Sequence, residues 1–468
     1  MTNPAPPARG ALAWGLWDWA FSAFNAVATT FVFSTYLSSP AFGDPARESE
    51  LLGVFMAVAG ITIAVLAPVA GQRTDASGRR KLWLAINSGV VVTCLLGTVF
   101  VRNSPGYLWL GLACIAVGTV FYELATVFYN SMLPLVSTPE TVGKVSAFGW
   151  SMAYFGGIAL LGIILAGFVL GGGSGSGTAG LLGVSTAGGL NVRLAMLVAT
   201  AWAAGFSIPV FVKVRVPPPP AAVAAERAGF FGSYGVLLAN IRDIWRVSRH
   251  TIWFLLASAI FRDGLTGVFV FGGVLGRVVF GLSATQVLMF GIAANVIAGV
   301  ATISSGSLDD RLGPKPLIVA SLIGMIACAI LLFATRSVGP AAFWAFGLIL
   351  CAFVGPAGSA SRTFLSRVIP PGREGEVFGL YATTGRAAIW ISPLLYSAAI
   401  AVSPATGTAE KTSWGILGIT LVLLAGLAAL LPVKPGNRLD THGTASGEGG
   451  EARPAGGPTG IAHHRTGG

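Results

Sequence analysis

The sequence predicts an all-α membrane protein of twelve transmembrane helices, arranged as two pseudo-symmetric six-helix bundles. Three observations predict it. The composition suits lipid better than water, twelve apolar runs are each long enough to cross a bilayer, and one loop pattern returns six runs after its first appearance.

Composition comes first. Of 468 residues, 54% are apolar and only 10% charged, against roughly 25% charged in soluble globular proteins. Mean hydropathy is +0.76. Eighteen acids and 29 bases are too few to cover a soluble chain of this size. The 64 glycines show no three-residue period, which excludes collagen. Cys94, Cys114, Cys328 and Cys351 all lie inside apolar runs and read as reduced packing residues, not a disulfide framework. His250 sits at a membrane edge, while His442, His463 and His464 lie in the tail. No metal site and no cofactor is expected.

The runs follow in order. A crossing helix needs about 20 apolar residues. The first six runs are Leu12 to Leu37, Leu51 to Ala70, Leu82 to Val101, Tyr107 to Tyr129, Val145 to Leu170 and Leu194 to Val212. The second six are Trp253 to Val274, Val287 to Ile303, Leu317 to Phe333, Ala341 to Ala360, Phe378 to Val402 and Trp414 to Leu431. The first is too long for the apolar core of a signal peptide and reads as a retained span. The runs are continuous rather than alternating, which disfavours a β-barrel.

Loop charge sets the sides. With the N-terminus in the cytoplasm, the cytoplasmic loops and termini hold 21 Lys and Arg, including Arg362, and the outer loops hold six. The positive-inside rule then predicts both termini in the cytoplasm. This bias explains the net charge of +11 without a nucleic-acid partner. The expected organisation is a cytoplasmic N-terminus over 1–11, a first bundle over 12–212, a linker over 213–249, a second bundle over 250–432 and a disordered tail over 433–468. The linker opens with Pro217 to Pro220, a stiff spacer. Phe230, Phe231, Tyr234, Leu237, Leu238, Ile241 and Trp245 then recur at roughly helical spacing, consistent with a helix lying on the inner leaflet or with a plain linker helix. Gly171 to Gly189 reads as a Gly/Ser-rich outer loop.

The repeat is the most specific signal. GQRTDASGRRK follows run two, and GSLDDRLGPK follows run eight. Gly71, Asp75, Gly78 and Arg80 match Gly306, Asp310, Gly313 and Lys315 in type and spacing. A match at the same place in each six-run half points to two six-span repeats, an arrangement secondary transporters use.

This loop form resembles the signature of the major facilitator superfamily. A closer resemblance rests on WDWAFSAFN (Trp17 to Asn25), VFYNSMLP (Val127 to Pro134), VSAFGWSMAYFGG (Val145 to Gly157), FRDG (Phe261 to Gly264) and FGLYATTGRAAIWISPLLY (Phe378 to Tyr396). These look like the vacuolar-effluxer-like branch, related to autophagy-linked amino-acid exporters. The resemblance implies the major facilitator fold and alternating access. It also implies that spans one, four, seven and ten line a cavity bordered by span eleven, and that the two repeated loops act as gates. The alternative for Asp75 and Asp310 is a solvated turn.

Asp18, Glu123, Arg262, Asp263 and Arg386 lie well inside spans one, four, seven and eleven. Each would cost about 2.5–3.5 kcal/mol facing lipid at mid-bilayer, so protein has to pair or hydrate them. At 1.5 Å per residue, Asp18 and Glu123 sit roughly 9 Å from the inner side, Arg386 roughly 12 Å and Asp263 roughly 15 Å. Asp18, Ser22, Asn25 and Thr29 share one helix face, as do Thr119, Glu123, Thr126 and Asn130. Asp18 and Glu123 are the candidate proton carriers. Asn25, Asp263, Arg262, Arg386 and Trp390 are the candidate substrate contacts, with Arg386 the expected partner of Asp263. The alternative in each case is a structural lock between helices.

No phosphate-cradling GxxxxGK[ST] run is present, which argues against a built-in ATP motor. The expected function is secondary active transport of a small solute, an amino acid among the options, with protons as the coupling ion. The protein is expected to be a monomer in the plasma membrane and not an enzyme. A membrane-embedded enzyme acting on a lipid-linked substrate, an ion-independent uniporter and a drug effluxer are the alternatives.

Overall fold

The computed structural model describes residues 7–37, 39–169, 177–216, 249–369, 373–404 and 406–434, with isolated positions between 235 and 246. Three expectations lie outside these residues: the Pro217 to Pro220 spacer, most of the linker helix and the tail beyond 434. The side chain of Asp75 also lies outside them.

Eleven described helices are long and apolar enough to cross a membrane. They are α1 (Gly10–Leu37), α2 (Pro45–Ser77), α3 (Arg80–Thr98), α4 (Leu108–Ser131), α5 (Val142–Ile164), α6 (Leu190–Lys213), α7 (Arg249–Val278), α8 (Ala284–Leu312), α9 (Pro314–Ala334) and α10 (Pro340–Val368), with Thr408–Leu430 the last among the described residues. The run expected to form one continuous eleventh span is instead two shorter helices, α11 (Glu374–Ala388) and α12 (Ile391–Ala401), which makes the last helix α13. The cause is Pro393. A proline has no N–H for the carbonyl four residues back, and its ring clashes with it, yet it is tolerated in the first turn of a new helix. α1 is interrupted too. Ala23–Phe31 winds as a π-helix, and the Asn25 carbonyl accepts hydroxyls from Thr29 and Thr30, both at 2.7 Å. π-segments often mark functional sites.

Each half has its own aromatic core. Trp14, Trp17, Phe21 and Tyr129 are fully buried in the first, and Phe254, Phe261, Phe364 and Phe378 in the second. The outside is apolar: Ile61 is 67% exposed and Val270 59%. Lipid tails are as apolar as these side chains, so helices associate through close packing of small residues and hydrogen bonds.

The two seams between the halves follow that rule. α2 meets α11 where a side chain on Gly71 would collide with the Gly375 carbonyl. α5 meets α8 where one on Gly306 would lie 2.9 Å from the Lys144 Cα. The contacts run from the end carrying Arg79, Arg80 and Lys81, the basic end, inward to Thr383 bonded to Ala64 O (3.3 Å) and Ser151 bonded to Gly299 O (3.1 Å). The molecule is closed at its basic end.

Candidate functional site

Among the described residues, two ion pairs cross between the halves in the interior. Asp18 on α1 faces Arg362 on α10 at 3.5 Å. The Tyr129 hydroxyl donates to the same Asp18 oxygen at 2.8 Å. Arg362 also donates to Asn130 Oδ1 (3.3 Å) and to the Ser146 carbonyl (2.6 Å). Its guanidinium lies 4.8 Å from the Trp150 ring and 5.4 Å from Trp14. Trp14 in turn stacks on Tyr129 and donates its indole N–H to the Tyr129 carbonyl. This node is almost dry, with Arg362 3% exposed and Asp18 13%.

Arg362 is the residue that sequence reasoning missed. In sequence it falls among the loop bases, because the apolar run stops at Ala360. α10 continues to Val368, which draws Arg362 nearly two turns inside. The signal available was Asp18 itself, since a buried carboxylate calls for a cation and a facing span had one near its end.

Glu123 on α4 pairs with Arg386 on α11. These side chains keep 23% and 21% exposure, so this pair is wetter than the first. It replaces the expected pairing of Arg386 with Asp263. Asp263 instead accepts the backbone N–H of Ser392 at 2.6 Å. That amide lies in the first turn of α12, where helix N–H groups have no partner of their own, so the break creates the donors and Asp263 satisfies one. Arg262, one residue earlier, points elsewhere. It donates to the Tyr381 carbonyl at 3.0 Å and lies 3.8 Å from the Tyr381 ring. Adjacent α7 charges thus hold the broken span on both sides of its break, as internal clamps of the second half. Trp390, in the break, is 60% exposed. Asn25 is exposed on the π-segment of α1.

The repeated loops match in backbone. Gly78 (φ 63°) follows α2 and Gly313 (φ 89°) follows α8, both at positive φ where a side chain is strained. Asp310 accepts the amides of Gly143 (2.7 Å) and Lys144 (3.1 Å), capping the first turn of α5 across the seam. Arg367 approaches Asp310 at 3.4 Å and Asp309 at 3.9 Å. Arg80 crosses the other seam to Glu374 at 2.6 Å and also holds the Ser131 carbonyl. Lys315 departs from the expectation: it bonds the Leu431 carbonyl at 2.7 Å, within its own half. A cation at the C-terminal end of α13 satisfies an orphan carbonyl there and spans no gate.

Two repeated six-span halves, a seam of small residues and paired charges in the interior define a major facilitator superfamily transporter, a multi-pass membrane protein that moves a solute and is not an enzyme. Within that class, a family model described as "Vacuole effluxer Atg22 like" matches residues 49–436, and the chain belongs to this family. An MFS-type transporter of Bacillus subtilis (strain 168), YxiO, is 26% identical over 424 residues, covering 88% of this chain and 93% of that protein. Autophagy-related protein 22 of Cryptococcus neoformans var. neoformans serotype D (strain B-3501A) is 25% identical over 331 residues, covering 64% of this chain and 54% of that one. Among solved structures, the E. coli fucose:proton symporter FucP superposes with a TM-score of 0.68 at 14% identity, covering 91% of this chain and 97% of that one. The proton:xylose symporter XylE superposes at 0.66 with 17% identity, covering 89% and 94%. At these identities the likeness concerns the fold.

Proposed function

We propose that the protein couples the movement of a small zwitterion, an amino acid in size and charge, to protons. The observation that carries this reading is that each interior carboxylate of the first half faces an arginine of the second. Glu123 and Arg386 offer opposite charges at a partly wet position. An ammonium group suits Glu123, and a carboxylate suits the fork of Arg386. Cargo that splits this pair replaces a cross-half bond with two bonds to itself.

The Asp18–Arg362 pair then serves as the coupling element. A proton on Asp18 removes the charge that faces Arg362 and weakens the joint between α1 and α10. Closure at the basic end fits one state of an alternating cycle, with the Arg80–Glu374 and Asp310–α5 contacts as the bonds broken in the other. The basic end faces the cytoplasm in this reading, because the excess of Lys and Arg there survives the removal of Arg362 from the loop count. The plasma membrane is the proposed location.

The test is counterflow of labelled amino acids in proteoliposomes, with and without a pH gradient. Wild-type exchange that a pH gradient accelerates, lost in Glu123→Gln and uncoupled from pH in Asp18→Asn, supports the reading. Exchange indifferent to pH in the wild type assigns an ion-independent uniporter. Absence of exchange for every amino acid, with flux of cationic drugs, assigns a drug effluxer.

A further inference from the structure

A second site lies away from the interior, on the basic end of the first half. The start of α3 and the end of α6 frame an open groove of about 720 Å³. Arg79, Lys81 and Arg215 line it, beside Leu82, Val212 and Val214. Three cations converging on one groove repel one another unless an anion joins them. Among the described residues, none of the three cationic side chains has a hydrogen-bond or ion-pair partner, although the Arg79 backbone amide donates to the Ser77 hydroxyl at 3.4 Å. Neither α3 nor α6 contains a single Asp or Glu over its length. Arg79 stands at the N-cap of α3, where no side chain caps the helix, so the positive end of its dipole adds to the same field.

The apolar walls indicate the source of the anion. Val212 is 71% exposed and Leu82 49%, with Trp83 beside them at 38%. These residues lie at the basic ends of α3 and α6, which in a membrane-spanning chain is the headgroup level that tryptophan favours. A free phosphate would gain nothing from this apolar rim, whereas a lipid lays its chains along it. Basic pockets between membrane helices take anionic headgroups in this way.

We propose that this groove binds the phosphodiester headgroup of an anionic phospholipid, with Arg79, Lys81 and Arg215 around the phosphate and Leu82 and Val212 against the first acyl segments. The site rests on the membrane placement of the chain and is independent of cargo and of proton coupling. Binding there ties the α2–α3 turn, which carries the Arg80 gate contact, to the composition of one leaflet.

Native mass spectrometry of the full chain released from phosphatidylglycerol or phosphatidylcholine nanodiscs tests it. The expected result is one phosphatidylglycerol retained by the wild type and at least a tenfold lower retained fraction in R79Q/K81Q/R215Q. R242Q/R246Q/R249Q removes the same charge from elsewhere and should retain the lipid. Should the first triple variant fold poorly, Lys81→Gln alone is expected to lower retention severalfold. Equal retention in both triple variants, or equal retention of phosphatidylcholine by the wild type, overturns the proposal. So does thermal stabilisation by free glycerol 3-phosphate equal to that by phosphatidylglycerol, which would make the ligand a soluble phosphate.

Discussion

Asp18–Arg362 and Glu123–Arg386 join the same two halves with the same chemistry, yet they stand in different surroundings. The first is enclosed by Trp14, Trp150, Tyr129 and Asn130, and both terminal nitrogens of Arg362 are hydrogen-bonded while its Nε is not. The second keeps about a fifth of each side chain exposed. A buried pair is costly to break on one side, because the partner is left charged and dry. An exposed pair adds little to stability and can be exchanged for a ligand. Burial, more than the pairing itself, separates the pair expected to hold the halves together from the pair proposed to take cargo.

The sharpest way to break this contrast is Arg362→Leu. It strands Asp18 in a dry site and should cost about 3–5 kcal/mol, read as a large fall in melting temperature in detergent. Adding Asp18→Asn should recover part of that loss. A double variant as unstable as the single one would show that the pair is not coupled. Next, Tyr129→Phe removes one hydrogen bond to a charged acceptor and should cost about 1.5–3 kcal/mol by the same measurement. Asp263→Ala tests the clamp on the broken span. Loss of a capping carboxylate should cost roughly 1 kcal/mol and raise amide exchange at the start of α12. Glu123→Gln should change stability least, by about 1 kcal/mol or less. With transport as the readout the order inverts: Glu123→Gln is expected to abolish solute exchange in a protein that melts normally. A Glu123 variant as unstable as Arg362→Leu would erase the distinction.

Much of the fold was legible because lipid imposes a simple rule: every crossing segment is a long apolar helix. The repeat was legible because Gly78 and Gly313 occupy backbone positions that few other residues tolerate. The interior acids were legible as polar exceptions within apolar runs. Their partners were not. Asp18 and Arg362 are 344 residues apart, and which arginine meets which acid is fixed by helix packing that no local pattern encodes. Pro393 hid the break in the eleventh span, since proline within an apolar run is compatible with a kinked continuous helix as well as a broken one. Lys315 matched Arg80 in sequence but found a carbonyl of its own half first.

The interruption between α11 and α12 has a mechanical consequence. An unbroken rod transmits any tilt from one membrane face to the other. A rod severed at Ile389 and Trp390 does not: its lower piece is wedged against α2 and held to α7 by Arg262, while its upper piece has a separate tether to α7 from Asp263 and can tilt about the break. The span carrying Arg386 therefore has a joint one turn above that guanidinium, so the far mouth can widen or narrow without first prising apart the seam at the basic end.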